Sequence, residues 1–379
     1  MATHRIVALP GDGIGPEVTT QALRVLDRVE RRGLGHFEVT TIPCAGSYYE
    51  QHGAEWPDGS FERCVAADAI LLGAIGHVGK NGATVRRADG ELAGYEQVIG
   101  LRTKLDLYAN VRPVKLYAGV RHLVGGRHAS IWAPQDVDMV ILRENTEDAY
   151  VPGAFELTRG GERELVVSPI IITSKGAERV IRRAFELAMR RSGAPRDHTR
   201  RVTCVDKSNV IRAHRLFRDV FTSVARDFPT VEADAIFVDA YVHQLVREPE
   251  RSDVVVAPNF AGDIVTDLGA ALQGGMGMAA SGNVGDRHAM FEPIHGSAPP
   301  LAGKGVANPT AAMLSVGLML GWLGQTRGDA ALELAAAAVD RAVGQAMEQS
   351  HAHTADLGGA ATTTEAADAI LKALDVELR

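Results

Sequence analysis

The chain is expected to fold as an α/β protein with a parallel sheet. Three observations carry that expectation. Short apolar runs rich in β-branched residues recur along the 379 residues, helical patterns alternate with them, and charged residues follow directly on the ends of several of the runs. The first strand is Arg5 to Pro10, closed by the turn Gly11-Asp12-Gly13-Ile14-Gly15-Pro16, and Glu17 to Arg31 follows as a helix with apolar Val18, Ala22, Val25, Leu26 and Val29. Strand, glycine turn and helix invite a dinucleotide-binding reading, but a G-x-G-x-x-G fingerprint starting at Gly11 needs its third glycine where Pro16 stands. A tight turn that packs backbone is the default.

Phe37 to Ile42 and Ala69 to Leu72 read as further strands, with a helical segment from Ser60 to Ala67 between them. Gly76 to Gly94 is glycine-rich and polar, a long loop of the kind that usually has a function. From Tyr95 to Asp106 helical spacing resumes, with Val98, Leu101 and Leu105 apolar and Tyr95, Val98 and Arg102 on one face. Arg112 follows ten residues after Arg102. Either arginine reads equally well as an ordinary surface residue or as a planar fork that grips a carboxylate.

Val137 to Leu142 is an apolar strand running into Arg143 to Tyr150, R-E-N-T-E-D-A-Y. Leu165 to Ile172 reads as a strand, Ser174 to Ser192 as a helix, and Arg201 to Val205 as a strand leading into Asp206-Lys207-Ser208-Asn209; Ile236 to Val238 leads into Asp239 in the same manner. Strand ends thereby offer Arg143, Lys207, Asp239 and, after a turn, Asp263, and this is where open α/β sheets place ligands. The strand Val254 to Ala257 ends at Pro258 and delivers a helix on which Asp263 and Asp267 stand four apart, on one face. Such a pair suits a hard divalent cation, Mg²⁺ or Mn²⁺. It also suits a helix cap beside a solvated surface residue.

Phe291 to Thr310 is rich in Gly, Pro and small residues, as a backbone-lined pocket is, and helices follow over Ala311 to Leu323 and Asp329 to Gln349. Thr362 to Glu365 carries a capping signal for a last helix. There is no tandem repeat or linker.

With 46% hydrophobic and 23% charged residues the composition is globular, and the length favours two domains. A net charge of −7 and a pI near 6.0 argue against a nucleic-acid or anionic-membrane partner. Cys44, Cys64 and Cys204 form no C-x-x-C pair and read as small buried residues in a reducing compartment. The N-terminus lacks the pattern of a secretory signal and no stretch is long enough to span a membrane, so a soluble cytoplasmic protein is expected.

Taken together, the motifs resemble the β-decarboxylating dehydrogenases, the family of isocitrate, homoisocitrate, 3-isopropylmalate and D-malate/tartrate dehydrogenases. The resemblance rests on L-P-G-D-G-I-G-P-E, L-R-x-x-L-D-L-Y-A-N-V-R-P, R-E-N-T-E-D-A-Y, D-K-S-N-V, H-G-S-A-P and D-L-G-G-A-A-T-T-T-E-A, which occur in order and span nearly the whole chain. It implies the isopropylmalate/isocitrate dehydrogenase-like two-domain α/β fold, which is not a Rossmann fold. A large, cofactor-side domain would be built from residues 1–107 plus 275–379, and a small domain, 108–274, would hold the metal, catalytic and dimerisation residues. A homodimer with shared active sites is implied. By motif, Arg102, Arg112 and Arg143 would bind substrate carboxylates, and Tyr150 and Lys207 would handle protons with the help of Asp239. Asp239, Asp263 and Asp267 would hold the metal, with Lys207 and Asp239 arriving from the partner subunit. His295, Gly296, Ser297, Ala298 and Asn308, with Glu292, would line the nicotinamide dinucleotide site.

The chemistry implied is loss of hydride from C2 of a 3-carboxy-2-hydroxy acid to the cofactor, then decarboxylation of the β-keto acid and reprotonation by tyrosine. Two positions depart from the family pattern. Where NAD-dependent relatives have Asp after H-G-S-A-P, and NADP-dependent isocitrate enzymes a Lys-Tyr pair, this chain has Pro300-Leu301; with Ala307, NAD is favoured over NADP. Tyr95, Glu96, Val98 and Ile99 occupy the helix that faces the C3 substituent, and an apolar wall there would leave a further carboxylate unpaired. R-E-N-T-E-D and S-G-N-V-G-D instead resemble the homoisocitrate and isocitrate branch. The mixture points to a specialised substrate of a biosynthetic pathway, with D-malate or tartrate as an alternative and Lys80, Arg86 and Arg87 as a possible source of a missing cation. A catalytically silent regulatory subunit is the rival of another class, and it would have lost the tyrosine, lysine or aspartates present here.

Overall fold

The computed structural model describes residues 2–151 and 153–379. Met1, the first residue of the expected large domain, lies outside them. In chain order the strands and helices are β1 (Thr3–Gly11), α1 (Gly15–Arg31), β2 (His36–Thr41), α2 (Ala45–His52), α3 (Ser60–Ala66), β3 (Ala69–Ala74), α4 (Leu101–Lys104), β4 (Ala109–Lys115), β5 (His122–Val124), β6 (Arg127–Ala129) and β7 (Asp138–Glu144). They continue with β8 (Phe155–Arg159), β9 (Glu162–Val167), α5 (Ser174–Arg190), β10 (Arg201–Asp206), α6 (Arg212–Val224), β11 (Glu232–Phe237), α7 (Val238–Arg247), β12 (Val254–Ala257) and α8 (Asn259–Leu272). The last are β13 (Ala280–Val284), β14 (Ala289–Pro293), α9 (Thr310–Arg327), α10 (Ala330–Met347) and α11 (Thr363–Glu377). The fold is mixed α/β with mostly parallel strands.

Two compact units divide the chain. The first comprises Met1–Leu107, Lys115–Pro134 and Ala270–Arg379, the second Tyr108–Val114 and Gln135–Gly269. Within the first, β1 lies between β2 and β3, parallel to both; β14 runs parallel to β3 and pairs antiparallel with β13. α1 and α9 pack on these strands and α10 and α11 pack on those helices, with buried residues, Val18, Val25, Met319, Leu332 and Ile370 among them, repeating at helical spacing. Thr362 and Glu365 form the expected capping box at α11.

In the second unit β10 lies between β11 and β12, and β12 pairs with β7, all parallel. Val202, Cys204, Val254, Val256, Val140 and Leu142 turn into a core closed by Phe185, Phe217 and Phe221 of α5 and α6. Strands covered on that face read as continuous apolar runs, which is why the sequence marks them well. The expected strand at Leu165 to Ile172 is instead the end of a hairpin, β8 with β9, exposed along its whole length.

All three cysteines are buried thiols, and burial pushes Cys44 and Cys64 up to about 12, so they are inert. Among the described residues, no helix is long and apolar enough to cross a membrane.

Candidate active site

In the second unit, β12 ends at Ala257 and, after Pro258, α8 starts at Asn259 with Gly262 in its first turn. A Cβ on Gly262 would lie 2.8 Å from Cγ of Arg143, so glycine is what lets the helix rest against that arginine. Arg143, near the end of β7, is 2% exposed. Its Nε donates to Asn259 Oδ1 at 2.8 Å, its Nη1 donates to Asp263 Oδ1, and its guanidinium lies 4.9 Å from the centre of the Tyr150 ring. Tyr150 donates its hydroxyl to Asp263 Oδ2 at 2.5 Å. Arg112 of β4 converges on the same helix face: Nε donates to Asn110 Oδ1 at 2.7 Å, and Nη1 donates to Thr266 Oγ1 at 2.7 Å and to Asp267 Oδ1 at 3.2 Å. Arg112, Arg143, Tyr150, Asp263 and Asp267 therefore form one cluster. Burial first, then the bond to Asp263, pushes the Tyr150 phenol above its ordinary value, so it keeps its proton at neutral pH and can give one up as an acid.

Lys207, just past β10, donates from Nζ to Asp239 Oδ1 at 2.5 Å. Asp239 stands in the first turn of α7 with its side chain 66% exposed, and the lysine holds its carboxyl below the usual range. Among the described residues, no three His, Cys, Asp or Glu side chains gather so as to hold a metal ion, so Asp239 does not join Asp263 and Asp267 within one chain.

In the first unit, Arg102 of α4 is buried and its Nη2 donates to Glu292 Oε1 at 2.8 Å, while Asn283 Nδ2 donates to the same oxygen at 2.7 Å. Glu292, expected on the cofactor side, thus spends that oxygen holding Arg102, the first of the arginines expected to bind substrate. Ahead of it the α spacing is interrupted, because Glu96–Gly100 is a π turn. Its wider turn rotates Tyr95 and Val98 out of the face shared with Arg102 in an ideal α-helix, and Val98 packs partly against the core. Buried Glu55 accepts from the amides of Gly94 at 2.5 Å and Glu96 at 3.4 Å and pairs with Arg87 at 3.4 Å. Arg87 is also paired with Asp89 at 2.5 Å and Glu96 at 3.6 Å, and lies over the Tyr95 ring. Arg86 donates to Gly90 O at 2.8 Å.

The turn at Gly11 to Gly15 proves to be a clasp. Gly13, at φ +59°, abuts the Ser297 carbonyl, where a Cβ would come within 1.9 Å, and Ile14 donates its amide to that carbonyl at 2.9 Å. Asp12 accepts from the amides of Gly46, Ser47 and Gly76 at 3.0, 2.8 and 3.0 Å, and Ser297 Oγ donates to Gly76 O. Sequence reasoning saw the glycines and passed over Asp12; the signal was an acid between two turn glycines. This clasp fixes the loop of His295, Gly296, Ser297 and Ala298, the last at φ +40°. Asn308 donates to Asp356 Oδ2 at 3.0 Å. Among the described residues, His295 Nε2 is buried without a hydrogen-bond partner and nothing lies within 4 Å of a Cβ placed on Gly296, while burial holds the His295 imidazole below the usual histidine range. An orphaned ring nitrogen beside an open glycine fits residues that await a bound group.

A guanidinium pair on an acidic helix face beside a protonated phenol is an arrangement able to grip carboxylates and donate a proton. Residues 5–370 match the family model described as isocitrate/isopropylmalate dehydrogenase. The 3-isopropylmalate dehydrogenase of Thermobifida fusca is 39% identical over 372 residues, 97% of this chain and 97% of its own length. The homoisocitrate dehydrogenase of Methanocaldococcus jannaschii is 36% identical over 380 residues, 99% of each. Among solved structures, isocitrate dehydrogenase from Methylococcus capsulatus superposes with a TM-score of 0.82 at 32% identity, covering 98% of this chain and 99% of that one. The chain belongs to the isocitrate/isopropylmalate dehydrogenase family of β-decarboxylating dehydrogenases and is an enzyme of it. Enzymes of this family generally use NAD and a divalent metal.

Proposed function

We propose that this enzyme oxidises and decarboxylates a 3-substituted (R)-malate to a 2-oxo acid and CO₂, reducing NAD with the help of Mg²⁺ or Mn²⁺. The observation that carries the reading is the convergence of Arg112 and Arg143 on Asp263 and Asp267 beside Tyr150. Guanidinium forks at fixed positions bind carboxylates and orient C2 before reaction. Lys207 Nζ, with Asp239 beside it, is the group to take the C2 hydroxyl proton as hydride leaves for the nicotinamide. When CO₂ departs with its bonding pair left on the carbon chain, the Tyr150 phenol returns a proton to C3. Asp263 and Asp267 offer hard oxygen donors that fit Mg²⁺ or Mn²⁺, with Asp239 as third ligand. When bound, the cation would stabilise the negative charge growing on the C2 oxygen.

Lys207 and Asp239, bonded to each other, come in this reading from a second copy of the chain. Support lies in the same helix: Phe260 and Ile264 of α8, the neighbours of Asp263, are 51% and 50% exposed, and the β8–β9 hairpin presents Phe155, Leu165, Val166 and Val167 to solvent. Apolar side chains on this scale mark an interface, and a homodimer closes it.

Arg87 is neutralised by three acids, which supports a C3 substituent without an additional carboxylate, over the homoisocitrate type of acid. NAD reduction followed with and without Mn²⁺ across 3-isopropylmalate, D-malate, isocitrate and homoisocitrate tests the reading. Turnover of the first two in preference to the last two is expected; no turnover of any, together with tight association with another subunit, would sink it in favour of a silent regulatory role.

A further inference from the structure

A buried histidine and a buried aspartate outside the chemistry above join the three segments that carry it. His214 lies on α6 and Asp148 lies two residues before Tyr150. The main-chain amide of Lys207 donates to His214 Nδ1 at 3.0 Å. An amide N–H can only donate, so Nδ1 keeps its lone pair and the proton of the neutral ring sits on Nε2. Nε2 faces Asp148 Oδ1 at 3.6 Å, and among the described residues neither atom has a hydrogen-bond partner. The other oxygen, Asp148 Oδ2, accepts the amide of Phe260 at 2.8 Å, in the first turn of α8. Asp148 also exchanges main-chain bonds with Ile171 and stands at φ +68°, a region that side-chain-bearing residues enter only when their surroundings hold them there. One side-chain pair thus reaches Lys207 through its amide, Tyr150 through two residues of chain, and Asp263 through the start of its helix.

We propose that His214 is a positioning residue for the oxidative step: it holds the main chain of Lys207, which serves the site completed by the second copy, against the turn of Tyr150 and the start of α8 in its own copy, with Asp148 as its anchor. The inference rests on the reading of Lys207 as the base. His214 does not touch the arginines that would bind the acid; Asn259, Asn110 and Thr266 hold those. Its loss should therefore act on kcat and leave KM for the acid nearly unchanged.

Three variants separate the bond from the Lys207 amide from the contact with Asp148. His214→Asn keeps an acceptor near the place of Nδ1 and loses the donor toward Asp148, His214→Gln keeps an amide near the place of Nε2 and loses the acceptor for Lys207, and His214→Leu loses both. Hydrogen exchange at the Lys207 amide, followed by mass spectrometry of the peptide that carries it, reads the geometry without any substrate. Protection is expected to survive in His214→Asn and to fall in His214→Gln and His214→Leu. Steady-state kinetics with Mn²⁺, NAD and whichever of the four acids turns over, each variant assayed well below its melting temperature, should show kcat about ten- to a hundred-fold lower for Gln and Leu and mostly retained for Asn. Equal losses in all three variants, or a KM that rises in step with the fall in kcat, would overturn the proposal, as would unchanged exchange at Lys207. Lys207→Met is the control. If it retains turnover, the base assignment fails; if it is inactive while His214→Leu is fully active, the positioning role alone fails.

Discussion

Tyr150 donates its hydroxyl to Asp263 at 2.5 Å while Arg143 reaches the other oxygen of the same carboxylate, so a would-be proton donor and a would-be metal ligand share one side chain. Tyr150→Phe removes only the hydroxyl. It should lower kcat by about 10²–10⁴, the usual weight of a general acid, and change KM little. Asp263→Asn should abolish the response of turnover to Mn²⁺ while leaving the melting curve close to that of the parent, because the carboxylate is partly solvated. Near-normal metal response in Asp263→Asn would remove it from the ligand set.

Arg112 directs bonds from one planar group to Asn110, Thr266 and Asp267. An ammonium on a flexible stem cannot reproduce that fork. Arg112→Lys should raise KM for the hydroxy acid about tenfold or more and leave KM for NAD unchanged. Initial-rate kinetics with each substrate varied in turn checks it.

Glu292 and Arg102 form a buried ion pair at 2.8 Å. Removing one partner strands the other, so Glu292→Ala should cost about 3–5 kcal/mol, read from urea unfolding. Glu292 acts through Arg102 in this account, and KM for the acid should rise. A change confined to KM for NAD would assign Glu292 to the cofactor instead.

His295 carries a pH dependence. Burial holds its imidazole below the ordinary 6.5, so the unfolded chain takes up the proton first on acidification. Its contribution to stability is complete above about pH 6.5 and is lost as pH falls through the lower folded value. Melting temperatures measured from about pH 7 down to about pH 5 should fall for the parent and fall less for His295→Gln, which cannot titrate.

Much of the frame could be read in advance, since strands buried under helices advertise themselves as apolar runs: β1, β3, β7, β10 and β12 all begin within a few residues of the positions expected. Missed strands carry contrary signals. β4 contains Pro113, and β13 reads Ala-Ser-Gly-Asn-Val, with no alternation and a glycine at its centre. At the site, residue types and order were legible and partners were not. Nothing local pairs Arg102 with Glu292 or Lys207 with Asp239, since those contacts form between segments distant in the chain. The π turn after Tyr95 has no local signal in the sequence, and Glu55, which accepts from the amides of Gly94 and Glu96 at its start, lies about forty residues away.

Metal-dependent oxidative decarboxylation is tested by quantifying NADH and CO₂ together from one acid of the 3-substituted malate class, with Mn²⁺ and with chelator. Equal amounts of NADH and CO₂ with Mn²⁺, and neither with chelator, are predicted. NADH formed without CO₂, or at the same rate with chelator, would contradict the account.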